Sequence, residues 1–193
     1  LTYNVNFGGP APERALRAIR EADADIVCLQ ETTEDWESYL RPRLRDLYPN
    51  AIFRHAGGAG GQAVFSKWEV REIAWVESPT GWFPGWILEA ETPVGPVQIL
   101  GVHLHPAVNE EGRFTVSAYL SATPEARRRE IAAFHARLAP GRPTLVAGDF
   151  NESDSGAAVA WLRERGFTDT LSEFDRSAKT WRWKTRLGTV SSR

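Results

Sequence analysis

Four short runs of this sequence carry side chains able to do chemistry: Thr2-Tyr-Asn-Val-Asn6, Leu29-Gln-Glu-Thr32, Gly101-Val-His-Leu104 and Gly148-Asp-Phe-Asn151. Each lies at the end of an apolar stretch with strand character, where open α/β sheets place their ligand sites. Singly they say little. Glu31 reads as a solvated or helix-capping carboxylate, His103 as a satisfied strand-end residue, and Asp149 with Asn151 as the makers of an Asx turn. Together they form a set of carboxylate, amide and imidazole groups. Hydrolysis of a phosphodiester needs the phosphate charge neutralised, a water oriented and the leaving oxygen protonated. A hard cation such as Mg²⁺ takes oxygen ligands, few of them from protein. Glu31 offers a carboxylate for such an ion, and Asn4 and Asn6 offer amide oxygens or hold Glu31 in place. His105 would share the face of His103 in a continuing strand, and a His-x-His pair suits zinc. The carboxylate-and-amide company, with no cysteine cluster, favours a hard metal instead.

In this order and spacing the four runs resemble the endonuclease/exonuclease/phosphatase superfamily of metal-dependent phosphoesterases. Gly61-Gln-Ala-Val-Phe-Ser-Lys67 is similar to the family's Gly-x-Ala-x-x-Ser-Arg strand, with Lys in place of Arg. The resemblance covers essentially the whole chain. It implies a four-layer α/β/β/α sandwich of two mixed, largely antiparallel sheets with outer helices. The implied activity is hydrolysis of phosphoester bonds by water attack on phosphorus, dependent on Mg²⁺ or Mn²⁺. On the same resemblance Glu31, with Asn6 and Asn4, holds the metal, and Asp149 orients the attacking water. His103 binds phosphate and donates a proton to the leaving group. By their own chemistry and position, Asn151, two residues after Asp149, is expected to hold a phosphate oxygen, and Asn4 and His105 are expected as further phosphate contacts.

The sequence departs from the family's pattern where it ends. After Thr180-Trp-Arg-Trp183 and Ser191-Ser-Arg193, family members continue to an Asp and, further on, to Ser-Asp-His, whose histidine is the general base. The expectation is therefore one domain over residues 1–193, incomplete at both ends and lacking its last two core strands. A non-catalytic binding module that keeps the fold without the base is the alternative.

The elements that must position these residues alternate between β and α character. Leu1–Val5 reads as a strand, and a helix from Pro12 buries Ala15, Leu16, Ile19 and Ala22 at helical spacing. Ile26–Gln30 reads as a strand buried on both faces. Trp36, Leu40, Leu44 and Leu47 mark a second helix that Pro42 is expected to kink or split. Short strands follow at Ala51–His55, Gln62–Ser66, Val70–Val76, Trp86–Ala90 and Val97–His103, with turn-length links that imply antiparallel pairing. Thr123 and Pro124 start a helix through Leu138, Thr144–Ala147 is another buried strand, and Ala157–Glu164 is a short helix. Residues 179–193 are turn and strand material.

Three regions bear on substrate. Trp82-Phe-Pro-Gly-Trp86 gathers aromatics that either grip substrate or pack against the domain's own edge. The loop Ala107–Ala122, with Arg113, Phe114 and Tyr119, is long enough for a lid. Arg127-Arg-Arg129 reads as a solvated helix face, and His55 and His135 read as structural.

Composition sets the outer bounds. In 193 residues, 23 Lys+Arg against 25 Asp+Glu leave a formal net charge of −2, which argues against a generic binder of phosphate backbones. The single cysteine, Cys28, excludes an internal disulfide. No apolar run approaches the roughly 18 residues of a membrane span, and no charged-then-apolar signal segment is present in the sequence; no stable membrane insertion is expected, and the cytoplasm is slightly favoured. The expected partner is a phosphoester: nucleic acid, lipid or inositol phosphate, or a small phosphoester. The complete protein is expected to be a monomer.

Overall fold

Most apolar runs in the sequence become strands or the buried stripes of helices. In chain order the elements are strand β1 (Thr2–Asn4), helix α1 (Pro12–Ala22), β2 (Ile26–Gln30), α2 (Glu34–Leu44), β3 (Asn50–Arg54), β4 (Gln62–Ser66), β5 (Val70–Val76), β6 (Gly85–Thr92) and β7 (Gly95–His103). They continue with α3 (Thr123–His135), β8 (Thr144–Asp149), α4 (Ala157–Arg163), α5 (Thr170–Phe174), β9 (Trp181–Thr185) and β10 (Gly188–Ser192). The computed structural model describes residues 1–9, 11–106, 123–175, 177–185 and 188–192. The loop 107–122, with Arg113, Phe114 and Tyr119, lies outside them. The chain forms two compact units, Leu1–Leu104 with Ala133–Asp149, and His105–Ala132 with Phe150–Arg193.

The first unit holds two four-stranded mixed sheets, ordered β1-β2-β4-β3 and β5-β6-β7-β8. Antiparallel pairing dominates, and the two parallel pairs are β1 with β2 and β7 with β8. Strands β2 and β4 alternate between two cores. Val27, Leu29, Ala63 and Phe65 face α1 and α2, meeting Ala15, Ile19, Trp36, Leu40 and Leu44. Cys28 and Val64 face the other sheet, meeting Val70, Trp86, Leu88, Ala90 and Ile99. Both faces are covered, which is why these strands read as continuous apolar runs. Burying each large side chain stabilises by about 1.5–3 kcal/mol, so these two layers outweigh the exposed ion pairs around them. Burial also pushes the Cys28 thiol up to about 11, leaving it inert. At the start of β6, Gly85 lies against the Phe134 ring, and a Cβ there would come within 2.6 Å of it.

Two expectations about the first unit need correction. Pro42 does not split α2, which runs through it to Leu44. Proline there leaves the Ser38 carbonyl without its helical donor, and the buried Trp36, Leu40 and Leu44 keep the stripe seated. Thr144–Ala147 is not a buried strand: among the described residues β8 pairs only with β7, at the sheet's edge, and Leu145 is half-exposed.

In the second unit the arginine run is not uniformly solvated. Arg127 is buried and its Nε donates to the His105 carbonyl at 2.7 Å, whereas Arg128 and Arg129 are exposed. Buried Glu130 accepts the His105 N–H at 2.8 Å. Glu152 Oε1 accepts the N–H groups of Ala158 and Val159 at the start of α4, and burial raises its carboxyl above the usual range. Helix α5, capped by Asp169, was not anticipated from the sequence, and β9 and β10 form an antiparallel hairpin.

Candidate active site

The two parallel strand pairs deliver four of the sequence-marked residues to one rim of the first unit. Asn4 lies beside Gln30 in the β1–β2 register, so β1 ends one residue short of Glu31. His103 lies beside Asp149 in the β7–β8 register. Parallel neighbours end on the same edge, so each sheet contributes two polar residues there. Asn4 joins the sheets: its Nδ2 donates to Glu31 Oε1 at 2.8 Å and to Asp149 Oδ2 at 3.0 Å.

Local backbone geometry aims these groups. Glu31 has φ 63°, a left-handed conformation that costs a non-glycine residue on the order of 1–2 kcal/mol. The turn lets Glu31 Oε2 accept the Phe7 N–H at 3.1 Å while Oε1 stays on Asn4. Asn6, at φ 59°, occupies the same region at lower cost, its side-chain oxygen accepting the Gly8 N–H at 3.2 Å. The Asn6 N–H donates to Asn4 Oδ1 at 2.9 Å, fixing which way the Asn4 amide points. Trp36 Nε1 of α2 donates to the Asn6 carbonyl at 3.2 Å, tying this loop to the helix layer. Two glycines permit the approach. A Cβ on Gly61 would sit 1.9 Å from the Thr32 carbonyl oxygen, and one on Gly148 1.8 Å from the Val102 oxygen.

His103 is 3% exposed, with Nε2 3.9 Å from Glu31 Oε1. Its Nδ1 lies 3.2 Å from the Ala59 carbonyl, which can only accept, so Nδ1 carries the hydrogen. The Phe83 ring stacks on the imidazole with centroids 4.0 Å apart and planes inclined by 15°. Within the aromatic run 82–86 both described contacts are packing inside the domain: Trp86 is fully buried against Trp75 of β5, and Phe83 lies on the site histidine.

Asn151 and His105 belong to the second unit. Strand β7 ends at His103, so the continuing strand that would align His105 with it does not occur. The His105 backbone is held by Arg127 and Glu130, and its Nδ1 lies 2.7 Å from the Pro106 carbonyl. Asn151 has φ 51°. His55 pairs with Glu37 at 2.7 Å on the surface. Lys67 lies at the opposite end of β4, bonded to Asp23 and Asp25. Sequence reasoning passed over Ala59, and it named Gln62, Phe83 and Trp36 without assigning them the contacts with the site residues and their loops that the structure shows.

A divalent cation fits this donor set. Two carboxylates from different sheets converge on one amide nitrogen, an arrangement of like charges that a cation relieves. Mg²⁺ needs only one or two protein carboxylates. Among the described residues no group of three or more His, Cys, Asp or Glu is placed to hold a metal ion by itself.

The sequence model of the Endonuclease/Exonuclease/phosphatase family matches residues 1–193. No curated protein matches the sequence. Among solved structures the fold is similar to an AP endonuclease from Archaeoglobus fulgidus, with TM-score 0.67 and 15% identity, covering 96% of this chain and 78% of that one. It is similar to sphingomyelinase C from Streptomyces griseocarneus, with TM-score 0.58 and 16% identity over 99% and 93% of the two chains. It is also similar to a truncated Caenorhabditis elegans TDP2, with TM-score 0.60 and 18% identity over 79% of this chain, which spans 61% of that one. Among the described residues no helix is long and apolar enough to cross a membrane. The two mixed sheets, the rim where their parallel pairs end and the match along the whole chain agree: this chain belongs to the Endonuclease/Exonuclease/phosphatase family, a family of phosphoester hydrolases.

Proposed function

We propose that the protein is a divalent-metal-dependent phosphodiesterase, with water attacking phosphorus. The observation that carries this reading is the Asn4 amide nitrogen bonded at once to Glu31 and Asp149, one carboxylate from each sheet. Glu31, assisted by Asn4 and Asn6, would hold Mg²⁺ or Mn²⁺, which when bound supplies charge neutralisation at the phosphate. Asp149 accepts a hydrogen bond from the attacking water and so orients it. His103 presents Nε2 to a phosphate oxygen and, when protonated, passes its proton to the leaving oxygen. Asn151 and His105 are proposed phosphate contacts on the strength of the sequence pattern. Nucleic acid, lipid or inositol phosphodiesters are the substrate classes, and no feature of the rim calls for membrane insertion.

The test is a panel of phosphodiesters and phosphomonoesters assayed on the full chain with Mg²⁺, with Mn²⁺ and with chelator. Activity is expected on diesters with metal only. Glu31→Gln should lower turnover by roughly 10³-fold or more, since the charge stabilisation lost is several kcal/mol and each 1.36 kcal/mol is tenfold. Activity that resists chelator, or an unaffected Glu31→Gln variant, rejects the assignment.

A further inference from the structure

His103 is held by the Ala59 carbonyl and the Phe83 ring, both outside the motif that marks it, and Gln62 braces the loop that carries Phe83. The Ala59 carbonyl takes the Nδ1 hydrogen, and Ala59 sits in a tight turn, Gly58–Gly60, within the glycine-rich segment 57–61. Phe83 covers one face of the imidazole. The same segment backs Phe83: a Cβ on Gly60 would lie 3.7 Å from Phe83 Cδ1. Gln62 then locks the loop that carries Phe83. Its side chain is buried, and its Nε2 donates to the Pro84 carbonyl at 2.8 Å. A Cβ on Gly101 would come 2.9 Å from Gln62 Oε1, so the amide also lies against β7, two residues before His103.

We infer that Phe83, braced through Pro84 by Gln62, is a positioning residue that sets the plane of His103 and so keeps its Nδ1 on the Ala59 carbonyl. The inference rests on the proposed role of His103 and adds the part that aims it. The imidazole is tethered at Cγ and turns about its Cβ–Cγ bond, a freedom that a hydrogen bond at Nδ1 restricts without abolishing. A stacked ring at 4.0 Å and 15° removes that freedom, because any swing drives the imidazole edge into the aromatic face. Nε2 is then delivered along one line, with Glu31 Oε1 3.9 Å away. The arrangement corresponds to the partners that orient ligand histidines, whose loss usually costs about 10–100-fold in function.

The test uses Phe83→Leu, Phe83→Tyr and Phe83→Trp in the full chain. Leucine keeps apolar bulk without a ring, and the other two restore a stacking face. The imidazole signals of His103 are assigned by their loss in His103→Gln, and ¹⁵N shifts of the metal-free protein report the tautomer. In the unsubstituted protein the Nδ1–H form should dominate and the ring protons should lie upfield of those of the other histidines. Phe83→Leu should mix the tautomers and lower kcat about 10–100-fold with KM within about twofold. Phe83→Tyr or Phe83→Trp should recover both readouts. An unchanged tautomer and kcat in Phe83→Leu overturn the inference, as does equal damage in all three variants. A chain that hydrolyses no phosphoester defeats the proposed function, yet the tautomer measurement still decides this point.

Discussion

Strand β2 is flanked by acidic residues at both ends, and the two ends treat them differently. At one end Asp23 and Asp25, in the turn leading into β2, meet Lys67 at 2.9 and 3.3 Å, with both carboxylates largely exposed. Opposite charges there cancel locally in water. At the other end Glu31 is only 16% exposed, and among the described residues it has no lysine or arginine partner. It is held by the Asn4 amide and the Phe7 N–H, with Asp149 on the same Asn4 nitrogen. The first end is finished as a surface. The second gathers two carboxylates on one amide nitrogen in a strained, glycine-permitted corner.

That contrast can be broken from either side. The largest effect is expected at the imidazole: His103→Ala should lower turnover about 10²–10⁴-fold, the range for a lost acid or charge-stabilising contact. His105→Ala should cost roughly tenfold or less, because it touches the reaction at most as one phosphate contact among several. Equal losses in steady-state assays would show that the two act as a unit and would reopen the zinc reading.

A smaller effect, on stability, is expected from Gly61→Ala. Its Cβ would fall 1.9 Å from the Thr32 carbonyl oxygen, a backbone atom beside the strained Glu31. Backbone must move, and overpacking of this kind costs about 1–3 kcal/mol. Urea unfolding should show the loss together with reduced turnover. An unfolding midpoint equal to that of the unsubstituted chain would mean that the corner is not tightly built.

The smallest effect is expected at the finished end. Lys67→Ala should shift the unfolding midpoint slightly and leave turnover unchanged, since the pair is exposed and screened. Hydrogen bonds and charge from Asp23 and Asp25 raise the Lys67 pKa above the ordinary lysine value. A raised folded pKa means the contribution is fully present at neutral pH and is lost as pH rises through the lysine range. The difference between Lys67→Ala and the unsubstituted chain should therefore shrink under alkaline conditions. A change in turnover at neutral pH would show that the two ends are coupled.

Much of this arrangement was legible beforehand. Helical spacing of Ala15 and Ile19, the apolar runs at Ile26–Gln30 and Gln62–Ser66 and the proline-started helix at Thr123 are local signals, written within a few residues. Burial on both faces made the inner strands conspicuous. The same logic misread Thr144–Ala147, because an apolar run looks alike at a sheet's centre and at its edge; only the number of hydrogen-bonded neighbours separates them. It misread Arg127 because three consecutive arginines point in three directions and sequence does not say which is inward.

The residue types of the site, Asn4, Glu31, His103 and Asp149, were set by the sequence alone, since oxygen and imidazole chemistry depends on what the side chains are. Which atoms meet was decided by tertiary structure. Asn4 and Asp149 are 145 positions apart, and their 3.0 Å bond exists because two parallel pairs in different sheets end at the same rim. The stacking of Phe83 on His103 likewise joins β7 to a loop before β6, at a separation no periodicity records. Local propensity is carried by neighbours in the chain. The aim of a side chain is carried by packing between elements, which only the folded arrangement contains.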